Sequence, residues 1–289
     1  MPGNPRGRLG MNRNLFSYHL ILVLVSGKLV RFYRIFRRDD KRTVIVALDH
    51  GRRHGPIPGI EDFCGVVSRL VDTGIDALMM TPAMIERVVE VAAGRVSMIA
   101  RIDGTGTVKG PDETDDRLIS SVKRAVRVGA DAVSLMIYVG CPREAENLEK
   151  LARVVEEAEE YGIPVLAEVL PRPPHLPDAY SSETVAYASR IAVELGADIV
   201  KTYFTGEGFE KVVKSVPAPI VVLGGPKKPS GLDALHEAFE AIRRGAAGVA
   251  YGRNVFQHKR PELMARALVY VVHQALEPRE ALERAASEC

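Results

Sequence analysis

The sequence predicts an α/β protein, a closed (β/α)₈ or TIM barrel forming a single domain behind an N-terminal extension, and three observations predict it. From Thr43 onward one unit recurs: an apolar strand, a polar or glycine-rich loop, then an amphipathic helix that ends in glycine. Four helix-to-strand joints are nearly the same text: Gly74-Ile75-Asp76-Ala77, Gly129-Ala130-Asp131-Ala132, Gly196-Ala197-Asp198-Ile199 and Gly245-Ala246-Ala247-Gly248. A glycine just past a helix stops it in a left-handed conformation, and the next strand begins at once. The strands, finally, are almost unbroken apolar runs rather than alternating ones, as strands covered on both faces are.

In chain order the expected strands are Val44–Leu48, Ala77–Thr81, Met98–Asp103, Ala132–Tyr138, Val165–Leu170, Ile199–Tyr203, Ile220–Leu223 and Gly248–Tyr251. The clearest helices are expected near Ile60–Thr73, Arg143–Tyr161, Ser182–Leu195, Leu232–Arg244 and Pro261–Leu276. Pro142 and Pro261 suit first-turn positions, and Ser182 and Ser230 suit caps. Eight strands with helical crossovers close a barrel more readily than they build a doubly wound sheet. A doubly wound sheet would carry a dinucleotide loop after its first strand. The nearest text, Gly104-Thr105-Gly106-Thr107-Val108-Lys109-Gly110, follows the third strand and runs into Pro111 instead of a helix.

Residues 1–26 are expected to form a weakly structured extension, with the barrel over 27–289. Arg6, Arg8 and Arg13 precede the apolar run Leu20-Ile21-Leu22-Val23-Leu24-Val25, which imitates a secretory signal. That run is too short to span a bilayer and lacks a convincing cleavage site. An over-called start is the simpler expectation. Apolar content of 46%, charged content of 26% and a net charge of +2 describe an ordinary globular chain. They give no reason to expect a nucleic acid or a membrane as partner. Cys64, Cys141 and Cys289 are few, odd in number and far apart, so neither a disulfide framework nor a zinc site is implied and a reducing cytoplasm fits.

In such a barrel the chemistry sits at the carboxyl ends of the strands. The residues falling there are Asp49-His50-Gly51, Asp103-Gly104, Tyr138, Glu168, Lys201 and Tyr203, Gly224-Gly225-Pro226-Lys227, and Gly252-Arg253-Asn254. Lys201 closes an otherwise apolar strand, and a lysine so placed can act as an amine nucleophile on a carbonyl. That chemistry uses the uncharged amine, which burial and nearby cations favour. Gly224, Gly225 and Gly252 offer bare backbone N–H groups, and Lys227 and Arg253 offer cations. Together they suit a phosphoryl group, as loops after the seventh and eighth strands often do. Asp49 could shuttle protons or serve as the partner of Lys201. His50 reads more simply as a structural, hydrogen-bonded histidine.

With Ala47-Leu48-Asp49-His50-Gly51, Ile199-Val200-Lys201-Thr202, Gly224-Gly225-Pro226-Lys227 and Gly252-Arg253-Asn254-Val255-Phe256-Gln257 in place, the chain resembles the archaeal-type class I aldolases. That family includes fructose-1,6-bisphosphate aldolase and 2-amino-3,7-dideoxy-D-threo-hept-6-ulosonate synthase. The likeness runs from about Gly27 to about residue 276. Gly27-Lys28-Leu29-Val30-Arg31, Gly55-Pro56-Ile57-Pro58-Gly59 and Phe256-Gln257-His258 look more like the synthase, and Tyr138 more like the bisphosphate aldolase. The resemblance implies that Lys201 is the Schiff-base lysine, Asp49 an acid–base residue and the glycine loops a phosphate site. It implies a phosphorylated sugar as substrate, no cofactor, and a large homo-oligomer, a decamer.

One departure matters. The family's fifth strand ends in Tyr-Pro-Arg-Gly, whose tyrosine carries the proton in C–C cleavage; here the text is Leu170-Pro171-Arg172-Pro173. Glu168 lies two positions before Leu170 and Tyr203 two after Lys201, so each faces inward and could take over that proton. Three rivals remain open at this stage. Asp49, His50, His54, Asp103, Glu168 and His175 could be gathered into a metal-dependent aldolase or hydrolase site, although no close-set ligand pair supports it. A phosphosugar-binding paralogue without catalysis would explain the lost tyrosine. A Schiff-base thiolase acting on a phosphorylated diketone is the third.

Overall fold

The structure, a computed structural model, describes residues 26–288. The expected N-terminal extension and the apolar run within it lie outside the described residues. Eight parallel strands form a closed barrel in sequence order: β1 Thr43–Ala47, β2 Ala77–Met80, β3 Ser97–Arg101, β4 Ala132–Val139, β5 Val165–Pro171, β6 Ile199–Thr202, β7 Ile220–Leu223 and β8 Gly248–Tyr251. β8 closes back on β1 through the register Thr43↔Gly248 to Val46↔Tyr251. All eight expected strands are present, most with ends moved by one or two residues.

The helices are α1 Ser26–Ile35, α2 Gly51–His54, α3 Phe63–Leu70, α4 Pro82–Ala92, α5 Val122–Arg127, α6 Glu144–Tyr161, α7 Ser182–Glu194, α8 Phe209–Ser215, α9 Gly231–Arg243, α10 Arg253–Phe256, α11 Pro261–Gln274 and α12 Pro278–Ser287. Ser230 caps α9 in a reciprocal box with Asp233, and Pro261 opens α11, as expected. Two expectations are corrected. Ser181, not Ser182, caps α7, because its backbone is extended and its hydroxyl accepts from Thr184 N. Pro142 precedes the cap residue Arg143 and lies outside the first turn of α6. Among the described residues no helix is long and apolar enough to cross a membrane.

The repeated joints have a structural reason. They precede β2, β4, β6 and β8, and in the first three the aspartate accepts a hydrogen bond from the first residues of the preceding strand. Val44 N donates to Asp76 (2.7 Å), Met98 N to Asp131 (3.2 Å) and Val165 N to Asp198 (2.8 Å). The same carboxylates receive a row of cations from α1 and the turn after it: Lys28 reaches Asp198 (2.7 Å), Arg34 reaches Asp131 (2.9 Å) and Arg37 reaches Asp76 (2.8 Å). The end of α1 then drives Ile35 and Phe36 into the inner cluster of Ile45, Ala77, Ile99, Leu166 and Ile199. α1 therefore stoppers the amino end of the barrel, and the opposite end is left for chemistry.

His273 of α11 belongs to this stopper, with Nδ1 at 2.5 Å from Asp40 and Nε2 at 2.9 Å from Asp76. Burial favours the neutral ring, but the bonds to Asp40 and Asp76 outweigh it and raise its pKa above the ordinary 6.5. The stability held in this contact is whole below pH 6.5 and lost as pH rises through the raised pKa. Urea unfolding from about pH 6 to about pH 9 is expected to show a decline in stability. His273→Gln is expected to flatten that part of it.

Candidate active site

Strand alternation and register bring the inward residues together at the carboxyl end. Glu168 of β5 and Lys201 of β6 are register partners, so their side chains share a face and meet, with Lys201 Nζ 3.0 Å from Glu168 Oε2. Lys201 is only 4% exposed. Between these residues and β1 lies Arg101 of β3, fully enclosed and unforeseen from the sequence. Its Nε donates to Asp49 Oδ2 (2.9 Å), its Nη1 faces Asp103 Oδ1 (3.4 Å), and its Nη2 donates to Glu168 Oε2. Asp103 is also held by Lys150 Nζ (2.8 Å) and Met136 N (2.7 Å).

The electrostatics follow from this packing. Burial pushes the Glu168 carboxyl up, but Lys201 and Arg101 outweigh it and hold the pKa at about 2. Asp49 is depressed still further, because Arg101, His50, Lys201 and Arg52 together overcome its burial. His50 is pushed down to about 4, chiefly by burial, with Lys201 and Arg253 adding to it against Asp49. Its ring is thus neutral near pH 7 and packs edge-on against Phe256. Asp49, Asp103 and Glu168, considered above as metal ligands, converge on the guanidinium of Arg101. Among the described residues no group of three or more His, Cys, Asp or Glu side chains is placed to hold a metal ion.

A cavity of about 210 Å³ opens over Lys201. Of the candidate residues singled out in the sequence, His50, Glu168, Lys201, Tyr203, Gly224, Gly225, Gly252 and Arg253 are among those that line it. Asp49 stands behind this lining, tied to it through Arg101. Lys227 is not brought in: its Nζ donates to Gln257 O (2.7 Å) and pins the loop after β7 to the loop after β8. Glycine is required at Gly252, where a Cβ would lie 2.3 Å from the His50 ring and 2.8 Å from Ala47 O. Gly225 has φ +60, a left-handed conformation that favours glycine. Among the described residues no carboxylate pairs with Arg253, whose Nε is buried without a hydrogen-bond partner and whose pKa burial lowers.

Leu170 presents no hydroxyl to the cavity and joins an apolar cluster with Met136, Tyr138 and Cys141. Tyr138, its register partner, turns its hydroxyl to Arg53 (3.0 Å) and Asp116 (3.4 Å), and it does not line the cavity. Tyr203 does line it, its hydroxyl accepting from Arg172 Nη1 (2.7 Å) and its ring lying 4.5 Å from that of Tyr180. Burial raises the Tyr203 phenol against the pull of Arg172, so it carries its proton at neutral pH. Arg172 and Tyr180 were not foreseen as site residues. Arg172 follows Leu170 by two positions on the same inward face, and this spacing was the available signal.

Residues 43–258 match the model of a family described as DeoC/LacD family aldolase. The chain is 37% identical over 263 residues to a 2-amino-3,7-dideoxy-D-threo-hept-6-ulosonate synthase of Halobacterium salinarum, covering 90% of this chain and 97% of that protein. It is 34% identical over 248 residues to a 2-amino-4,5-dihydroxy-6-oxo-7-(phosphonooxy)heptanoate synthase of Streptomyces griseus, covering 85% and 90%. Among solved structures it resembles an archaeal fructose-1,6-bisphosphate aldolase whose catalytic lysine is covalently bound to the carbinolamine intermediate. The TM-score is 0.77 and the identity 33%, covering 85% of this chain and 99% of that one.

Proposed function

Because this chain belongs to the DeoC/LacD family of aldolases, we propose that it makes or breaks a carbon–carbon bond in a phosphorylated ketose through an imine formed on Lys201. The observation that carries the reading is a single cavity. It contains a buried strand-end amine together with two glycine loops and the guanidinium of Arg253, with which no carboxylate among the described residues pairs.

The geometry supports the following roles. Arg253 and the backbone of Gly224, Gly225 and Gly252 take the phosphoryl group, a dianion that a desolvated guanidinium and bare N–H groups suit. The ketone is then presented to Lys201 Nζ. Attack by the neutral amine forms the C–N bond, and the carbonyl oxygen leaves as water with one proton from the nitrogen and one from solvent. The protonated imine then withdraws the electron pair of the bond between the carbons α and β to it, as the β-hydroxyl gives up its proton to solvent. When the reaction runs toward bond formation, the enamine carbon attacks an aldehyde and the aldehyde oxygen takes a proton. Tyr203 supplies it, since its phenol faces the cavity protonated. Asp49 is ionised and helps to hold Arg101; it has no proton to give.

Borohydride in the presence of a panel of ketose phosphates, followed by peptide mapping, tests this reading. The expected result is one covalent mark, on Lys201. A ligand that raises the melting temperature without marking any lysine points instead to a non-catalytic binding protein, and the panel ranks the substrates.

A further inference from the structure

We propose that Arg101 is a positioning residue that fixes Glu168 as the standing counter-ion of the imine nitrogen at Lys201. This inference rests on the Schiff-base reading above and goes beyond it. It removes Glu168 from the candidates for proton transfer and gives Arg101, which touches no substrate, a part in the reaction.

The geometry is over-determined. Every nitrogen of the Arg101 guanidinium faces a carboxylate: Asp49 just beyond β1, Glu168 of β5, and Asp103 two residues past Arg101 itself. Asp103, the partner at Nη1, is in turn clamped by Lys150 and by the backbone of Met136. The guanidinium therefore cannot swing. The same oxygen of Glu168, Oε2, accepts from both Arg101 and Lys201. A carboxylate carrying two cations on one oxygen is held ionised and held in place.

The chemistry needs such a group. In imine formation the Lys201 ammonium first releases one proton to solvent, and its neutral Nζ then gains a bond to carbon. The carbonyl oxygen departs as water with one proton from the nitrogen and one drawn back from solvent, and the nitrogen is left positive again. Lys201 is buried, and an unbalanced cation there is costly. A fixed anion 3.0 Å away offsets that cost without having to reorganise during the reaction. A mobile or protonated Glu168 could not do this. Arg101 denies it both options: it fills the coordination of Oε2, and it makes the site unfavourable for a proton. Of the other titratable groups close by, Asp49 is held ionised by Arg101, and His50 is kept neutral at neutral pH chiefly by burial.

The test is a double-mutant cycle read on one step. Rapid-quench borohydride trapping, with dihydroxyacetone phosphate as probe, gives the rate at which the Lys201 peptide is labelled. Glu168→Gln keeps the shape and removes the charge, and is expected to slow labelling by about 30-fold or more. Arg101→Lys keeps the charge and loses the fork, and is expected to slow it by about 10-fold with KM changed less than about threefold. The double variant is expected to be no slower than Glu168→Gln alone, because Arg101 then has no carboxylate to position. Multiplying effects, or wild-type labelling in Arg101→Lys, overturn the proposal while leaving the Schiff base intact. If Arg101→Lys fails to fold, Glu168→Gln decides by itself: an unchanged labelling rate overturns the role of counter-ion. Absence of any label in the unmodified enzyme overturns the parent reading as well, and so the two failures are told apart.

Discussion

Lys201→Met lowers kcat/KM for a ketose phosphate by on the order of 10⁴-fold or more, the loss expected when a covalent nucleophile is removed. Methionine matches the buried stem of lysine and removes only the amine. Glu168 keeps its bond to Arg101, so no carboxylate is stranded and the melting temperature is expected to stay within a few degrees. Ligand binding should survive, since Arg253 and the glycine loops are untouched, and a phosphorylated ketose should still raise the melting temperature. Borohydride should label nothing. Retention of turnover by this variant would show that the amine is not the nucleophile, whatever else lines the cavity.

Tyr203→Phe separates the second half of the reaction from the first. The phenol hydroxyl is the group proposed to give a proton to the aldehyde oxygen, and a positioned acid of this kind contributes about 10²–10⁴-fold. A loss of that size in kcat is expected, while trapping of the imine on Lys201 stays within about threefold of wild type. Steady-state turnover and the trapped fraction, measured on the same preparation, check both halves. Unchanged kcat would remove Tyr203 and leave the displaced hydroxyl without a replacement. Phenylalanine also costs Arg172 its 2.7 Å partner, so a variant at Arg172 that keeps the phenol is the natural control.

The barrel was legible because each of its rules is local. A glycine after a helix, an apolar run and a change of period are all visible within some ten residues, and the strands fell where those signals lie. α5 and α8 were not named in advance: at six and seven residues they give too little periodicity to be read. The site divides in the same way. Alternation turned Glu168 and Tyr203 inward, because direction along a strand follows from counting by twos, while the register of β5 against β6 is what sets Glu168 beside Lys201. Arg101 obeys that count too, two residues before Asp103, yet an enclosed arginine is credible only with several carboxylates around it. Those come from the loop after β1 and from β5, and the sequence does not show that they converge. Lys227 failed for the opposite reason: it sits in a loop, where no alternation fixes the direction of a side chain, and a backbone carbonyl captured it.

The stopper at the amino end also bears on the order in which the ring is assembled. The three carboxylates that receive α1 stand at the starts of β2, β4 and β6, so its seat does not exist until the chain has been laid down through Asp198. The first helix in the described chain must therefore wait for distant sequence before it can settle, and such long-range closure is slow compared with the pairing of neighbouring strands.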